Sequence, residues 1–391
     1  MKLWPTKPLG ELVDFIGGGT PRRDHPDYWG GEIPWASVKD LQGQLLETTL
    51  ENITAKGLAN SASNLIPKGT VIIASRVGLG KVAINLKPVA INQDLKALTP
   101  RSSDLSPRYL LLFLLSKAGY FEQIGVGATV KGLTLADYQK LDIILPPLTE
   151  QEQIVKLLDE ADELRKLRAQ ADRRTAALIP SLFHDMFGDP DTNPMGWPVK
   201  RAGDLMAACE YGTSQKSNEE GRGIPILRMG NVTTDGRLNL TALKTVELEN
   251  GELARQRLQA GDILFNRTNS RELVGKTGMW DGRFEAVPAS YFIRVRFRPD
   301  AEHPQHFTTF MNLAHMKRRL AEMARGAVGQ ANINSKELQS IELPVPPLAQ
   351  QKEFAARVAE IRAMEAEQAA SRHRLDGLFQ SLLHRAFNGE L

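Results

Sequence analysis

Cysteine is almost missing from this chain: Cys209 is the single one in 391 residues, which excludes a disulfide framework and a cysteine-built zinc site. No apolar run approaches the length of a membrane span, and no amino-terminal signal pattern is present, so the expected compartment is the cytoplasm. The formal net charge is only +3. That balance does not by itself identify a nucleic-acid partner; a clustering of cations has to do so. Catalytic signatures are missing too. Val274-Gly275-Lys276-Thr277 resembles the end of a phosphate-binding loop, but Ser270 stands where the motif needs its first glycine. Asp94-Leu95-Lys96 lacks a nearby upstream Pro-Asp, so half of a nuclease site stands alone. There is no Asn-Pro-Pro-aromatic run of an amino-methyltransferase. His303 and His306 have no ligand set at zinc spacing, and no metal is expected. The chain does not read as an enzyme.

What is present is a repeat. Pro146 to Phe187 and Pro346 to Phe387 align without a gap, matching Pro146 with Pro346, Gln151 with Gln351, Leu182 with Leu382 and His184 with His384. Each copy opens on Pro-Pro, which fixes an extended entry to a helix starting just beyond it. Ile154, Ala161, Arg168, Thr175 and Leu182 fall seven apart, with Leu157, Leu164, Ala171 and Leu178 as the companion row. The second copy keeps Phe354, Ile361, Leu375 and Leu382, with Met364 and Leu378 alongside. This is a narrow, coiled-coil-like seam, diluted by polar residues. A helix of about 38 residues spans roughly 57 Å, and Pro180 is expected to kink the first one. Ile154, Leu157, Leu164, Leu178, Phe354, Ile361, Leu375 and Leu378 are the candidates for helix pairing or partner docking. Two such helices in one chain are expected to pack on each other as a spacer.

Two globular blocks precede the helices. The pattern divides the chain into a first block (1–145), a first helix (146–190), a second block (191–345) and a second helix (346–391). The blocks share an order with weak identity: Trp4-Pro5 answers Trp197-Pro198, Ile33-Pro34 answers Ile224-Pro225, and Val71-Ile72-Ile73 answers Ile263-Leu264-Phe265. The turn-rich run 187–194 marks the boundary. A constant pair of helices beside two divergent blocks suggests one scaffold presenting two different recognition surfaces.

Nucleic-acid chemistry is the best-supported use of those surfaces. Phe292 to Arg298 alternates apolar residues with arginine, which on a strand places Ile293, Val295 and Phe297 on the core face and Arg294, Arg296 and Arg298 on the other. Such a face can neutralise phosphates. Asn266, Arg267, Asn269 and Arg271 occupy a hairpin tip, and arginine and asparagine are the side chains that read guanine and adenine edges. Arg228 and Lys276 flank that tip in the sequence order. In the first block the corresponding candidates are Arg22, Arg23, Lys39, Arg76, Lys81, Asn92, Gln93 and Lys131.

Gly18-Gly19-Thr20-Pro21, Ile33-Pro34-Trp35, Ala90 to Asp94, Leu145 to Leu148 with Glu150-Gln151, Asn266-Arg267-Thr268 and Val345 to Leu348 together resemble the specificity subunit of type I restriction–modification systems. The resemblance covers nearly the whole chain. It implies an α+β fold: two pseudo-repeated α/β target recognition domains separated by two long, antiparallel-packed helices. It also implies double-stranded DNA as a partner, each domain reading half of a split, asymmetric target. Two methyltransferase subunits would dock on the helices, and two restriction subunits can join the complex. S-adenosylmethionine would be held by the methyltransferase, ATP and magnesium by the restriction subunit, and no cofactor by this chain. The other readings are a scaffold that joins partners without reading DNA, and a stand-alone nuclease or methyltransferase.

Overall fold

A computed structural model describes residues 4–125, 132–324 and 331–391. The chain forms two compact units, each built from one block and pieces of both long helices. Residues up to Ala169 join Ala370–Leu391 in the first, and Gln170–Ala369 form the second.

In the first unit an antiparallel core runs through Val13–Gly17, Leu95–Pro100, Val71–Ala74 and Val82–Asn85, with Leu45–Leu46 added parallel at the edge. A second sheet orders Glu51–Ile53, Trp29–Ala36, Val89–Ile91 and Leu65–Ile66, its Trp29–Ala36 and Val89–Ile91 strands lying parallel. The second unit repeats this plan. Met206–Tyr211, Phe292–Phe297, Ile263–Asn266 and Thr277–Met279 make its antiparallel core. Lys244–Val246, Ile224–Leu227 and Val287–Pro288 make its second sheet, again with a parallel pair. In both units the first short strand closes on the last one of the block, Thr6–Pro8 on Asp142–Ile144 and Val199–Arg201 on Glu342–Pro344. This pairing brings the end of each block back to its start, from which the long helix departs.

One glycine is fixed by the crossing of the two sheets. A Cβ on Gly18 would lie 2.0 Å from the Ile91 carbonyl oxygen, and one on Gly212 would lie 2.3 Å from the carbonyl oxygens of Pro288 and Ala289. No side chain fits between backbones that close. Gly18 and Gly212 therefore mark the same structural position in the two blocks.

The long helices start at Leu148 and Leu348. Gln151 and Gln351, fully buried, lock those starts. The Gln151 amide donates to the carbonyls of Asp104 (2.6 Å) and Pro146 (2.9 Å) and accepts from the Ser106 amide (2.9 Å). Gln351 donates to the Pro346 carbonyl (2.8 Å) and accepts from the His303 amide (2.8 Å). Each glutamine thus ties a long helix to the segment that begins the apolar helix of its block, Pro107–Ser116 or Pro304–Asn312.

Within each unit the two helix segments run antiparallel. In the first, Ile154 and Leu158 share a core with Phe379, Leu383 and Phe387, while Arg165 reaches Asp376 (2.7 Å). In the second, Phe354 packs against Phe183 and Phe187, and Gln368 donates to Thr175 (2.9 Å). The row through Ile154, Ala161 and Thr175 is buried as expected, but its companion is not the leucine row. Leu158 and Ile179 are buried, with Arg165 and Asp172 partly so, whereas Leu157, Leu164 and Leu178 face solvent. The observed steps alternate four and three, and the leucines lie one position off this seam. The second helix follows the same pattern: Phe354, Val358 and Phe379 are buried, Ile361 and Leu375 half-buried, and Leu378 exposed. Pro180 acts one turn upstream of itself. The first helix breaks at Ala177, between Leu148–Ala176 and Leu178–Phe187, because proline has no N–H to offer the carbonyl of residue 176.

Replacing Gln351 with leucine removes a donor and an acceptor while keeping the volume. It should destabilise the chain by about 2 kcal/mol by stranding the buried Pro346 carbonyl and His303 amide, read as a lower denaturant midpoint with an unchanged slope.

Candidate nucleic-acid interface

Both hairpin tips sit at equivalent places. The Ser75 amide donates to the Asp94 carbonyl (2.8 Å) just as Arg267 donates to Tyr291 (2.9 Å), and the carbonyls of Ser75 and Arg267 accept from Leu133 and Ile333. Arg267 therefore stands where the first block has Ser75, and Thr268 where it has Arg76. The frame is common and the side chains it displays are different.

In the second unit the tip assembles around Arg267. Its guanidinium lies over the Tyr211 ring, 4.9 Å from the centroid, and its Nε is buried without a hydrogen-bond partner among the described residues. Tyr211 is exposed at 42% and its hydroxyl accepts from the Ser335 amide (3.1 Å). Stacking on an aromatic face presents the guanidinium edge outward, the geometry in which arginine pairs with a base. Asn269 is half-buried beside it, while Asn266 is fully buried with its amide nitrogen unpartnered among the described residues. Arg271 is exposed and donates to the Ala321 carbonyl (3.2 Å), and Arg228 is half-buried. Tyr211 is absent from the sequence-derived set. Its signal was position: it directly precedes the Gly212-Thr213 that answers the glycine run of the first block.

Three cations of the second block do not face a ligand. Arg294 is buried, pairs with Glu210, and donates to the carbonyls of Arg255 (2.9 Å) and Arg257 (3.2 Å) at the end of the Asn250–Gln256 helix. Arg296 forms a two-pronged pair with buried Asp262, both contacts at 2.7 Å. The alternation along this strand is as expected, with Ile293, Val295 and Phe297 in the core. Glu210, Asp262 and the carbonyls of Arg255 and Arg257 lie over that face, so Arg294 and Arg296 are neutralised there rather than free. Lys276 is buried and donates to the carbonyls of Met229 (2.8 Å) and Val232 (2.6 Å); burial pushes its pKa down. These are structural cations.

In the first unit Lys39, Arg76 and Lys81 are exposed, and Arg76 stands 3.7 Å from Asp94. The tip packs beside the preceding loop, since a Cβ on Gly78 would lie 3.1 Å from the Val38 side chain. Val77 at this tip is exposed with φ +33°, a conformation β-branched residues rarely adopt. Arg22 is paired with Asp24 (2.7 Å), and Arg23 with Glu51 while stacked 3.7 Å over Trp29. Asn92 is buried in a turn with Asp94 (3.1 Å), so it shapes the backbone and is not displayed; Gln93 next to it is exposed. Lys131 lies outside the described residues. Among the described residues no group of three or more His, Cys, Asp or Glu is placed to hold a metal ion, and no helix is long and apolar enough to cross a membrane.

Two substitutions separate display from structure. Arg267→Ala should weaken binding of a specific duplex by about 1–3 kcal/mol and relax one base position. Arg296→Ala should instead cost about 3–5 kcal/mol of folding stability, because Asp262 is left charged and buried. Denaturant titration and duplex binding of both variants check this; the reverse assignment would place the DNA surface on the arginine strand.

Comparison with known proteins agrees with this geometry. The family model described as the type I restriction modification DNA specificity domain matches residues 1–172 and 194–369. The specificity subunit of the EcoKI type I restriction enzyme of Escherichia coli strain K12 is 25% identical over 99% of this chain and 89% of its own length. That of MjaIX from Methanocaldococcus jannaschii is 29% identical over 58% of each chain. Among solved structures, a chain from a type I restriction–modification complex matches over 100% of this chain and 99% of its own, with a TM-score of 0.67 at 20% identity. The specificity subunit from M. genitalium matches with a TM-score of 0.55 at 15% identity, covering 98% and 96%. These structural likenesses concern the fold. With two copies of its domain model spanning most of the sequence, this chain belongs to the type I restriction–modification DNA specificity family.

Proposed function

We propose that this chain is the specificity subunit of a cytoplasmic type I restriction–modification complex, reading a split, asymmetric DNA target with one half assigned to each unit. The observation that carries the reading is the pair of hairpin tips. The same backbone frame displays Arg76, Val77 and Lys81 in one unit and Arg267 over Tyr211 in the other. Equivalent frames suit two equivalent placements on a duplex, and different side chains suit two different half-sites. The chain supplies recognition, and methyl transfer and cleavage belong to its partners.

The helices suit docking of two methyltransferase copies. Each unit exposes an apolar pair drawn from both helix segments, Leu164 at 50% with Leu378 at 47% in the first and Met364 at 46% with Leu178 at 42% in the second. These positions differ by 200 in number, so two like patches face two like partners. Leu157 is not part of this set, since its counterpart is Arg357. Restriction subunits can join the same assembly.

Genome-wide mapping of methylated adenine, in cells expressing the neighbouring methyltransferase with and without this chain, tests the reading. A split asymmetric motif that disappears with the chain supports it; an unchanged methylome with active methyltransferase supports a scaffold instead. Leu164→Asp combined with Leu378→Asp should leave the melting midpoint nearly unchanged, since both sites are exposed. Native mass spectrometry should then count one methyltransferase copy per chain in place of two.

A further inference from the structure

The two long helices match position for position, but not in charge where they meet their blocks. In the first helix Asp162, largely buried, accepts from Gln44 (3.3 Å) and pairs with Arg165 (3.1 Å), while Asp159 takes Arg108 (3.0 Å). The answering positions in the second helix are reversed: Arg362 for Asp162 and Glu365 for Arg165, with Ala359 for Asp159. Glu365 is buried and binds Arg237 of the second block (3.0 Å) as well as Arg362 (2.9 Å). Arg362 also approaches Asp235, donating to its carbonyl (3.3 Å), and Arg237 is steadied by the Asp235 carboxylate (2.6 Å). A cavity of about 740 Å³ lies beside these four residues, bounded also by Ile179, Pro180 and Val358. On this side polar contacts join the block to the helix beside their shared apolar core.

We infer that each recognition block is keyed to its own helix segment by contacts of opposite polarity, and that Asp235, Arg237, Arg362 and Glu365 are positioning residues that set where the second block presents its tip. Placed on the first helix, the second block would bring Arg237 against Arg165 and Asp235 against Asp162. Placed on the second helix, the first block would find Ala359 where Arg108 now meets a carboxylate. Like charges brought together in a partly buried seat disfavour the wrong pairing, while the native pairing is satisfied at every group. Buried polar contacts of this kind serve register more than stability. The inference rests on the DNA-reading function for its consequence: a block that shifts on its seat no longer holds its half-site at a fixed distance from the other.

The test uses the full chain with its methyltransferase subunits and duplexes carrying both half-sites at the native gap, or at one base pair more or less. Arg237→Glu and Glu365→Arg should each reduce the preference for the native gap about tenfold, and the double variant should restore part of it, since the contacts to Asp235 and Arg362 stay reversed. Thermal melting of the chain without DNA should follow the same pattern: two lowered midpoints and one partly recovered. If Arg237→Glu does not fold, neutral Arg237→Gln takes its place with a smaller loss in the same direction. An unchanged gap preference in both single variants, or a double variant as impaired as their sum, overturns the keying. A wild-type complex without sequence-selective binding would overturn the functional reading instead, leaving the melting cycle to decide the keying by itself.

Discussion

The buried amide of one glutamine, used twice, is the contact on which the architecture depends. Gln151 and Gln351 each bind the prolyl carbonyl just before a long helix and the backbone amide that opens the apolar helix of the block. An amide is the right group for this because it donates and accepts at once in a fully buried site. Helix, strand end and apolar helix are thereby fixed at one point, and everything else in a unit is packed outward from it. The glycine at 18 and 212 plays the complementary part, letting one sheet cross the backbone of the other.

On this fixed frame the two blocks vary where variation is tolerated. Position 81 carries an exposed lysine and its counterpart, Lys276, a buried one. The segment between Ala74 and Lys81 is three residues shorter than that between Asn266 and Lys276. Loops absorb such changes because their cost in closure entropy is small. Two arginines of the second block's central strand are spent inside the protein. Arg294 and Arg296 are held by Glu210 and Asp262, so this strand does not supply the cations that a polyanion would meet.

Much of this was legible in the sequence. The repeat, the order of elements, the hairpins, the Pro-Pro entry and the family followed from residues at fixed offsets. The errors have local physical causes. Leu157 and Leu164 drew the companion row one position off because leucine identity outweighed the four-three spacing, whereas the true seam passes through Leu158, Arg165 and Asp172. The arginine alternation was correctly assigned to two faces of a strand, but what lies over the arginine face is set by residues far off in the chain, Glu210, Asp262 and the carbonyls of Arg255 and Arg257. Such long-range contact leaves no local signal. For the same reason Tyr211 escaped notice: its link to Arg267 joins residues far apart in the chain.

The central claim is that one frame carries two independent readers. Methylation mapping of cells carrying Arg267→Gln tests it most directly. The account predicts that one half of the split motif changes or relaxes while the other half and the gap stay as they were. A change in both halves, or in neither, would contradict it.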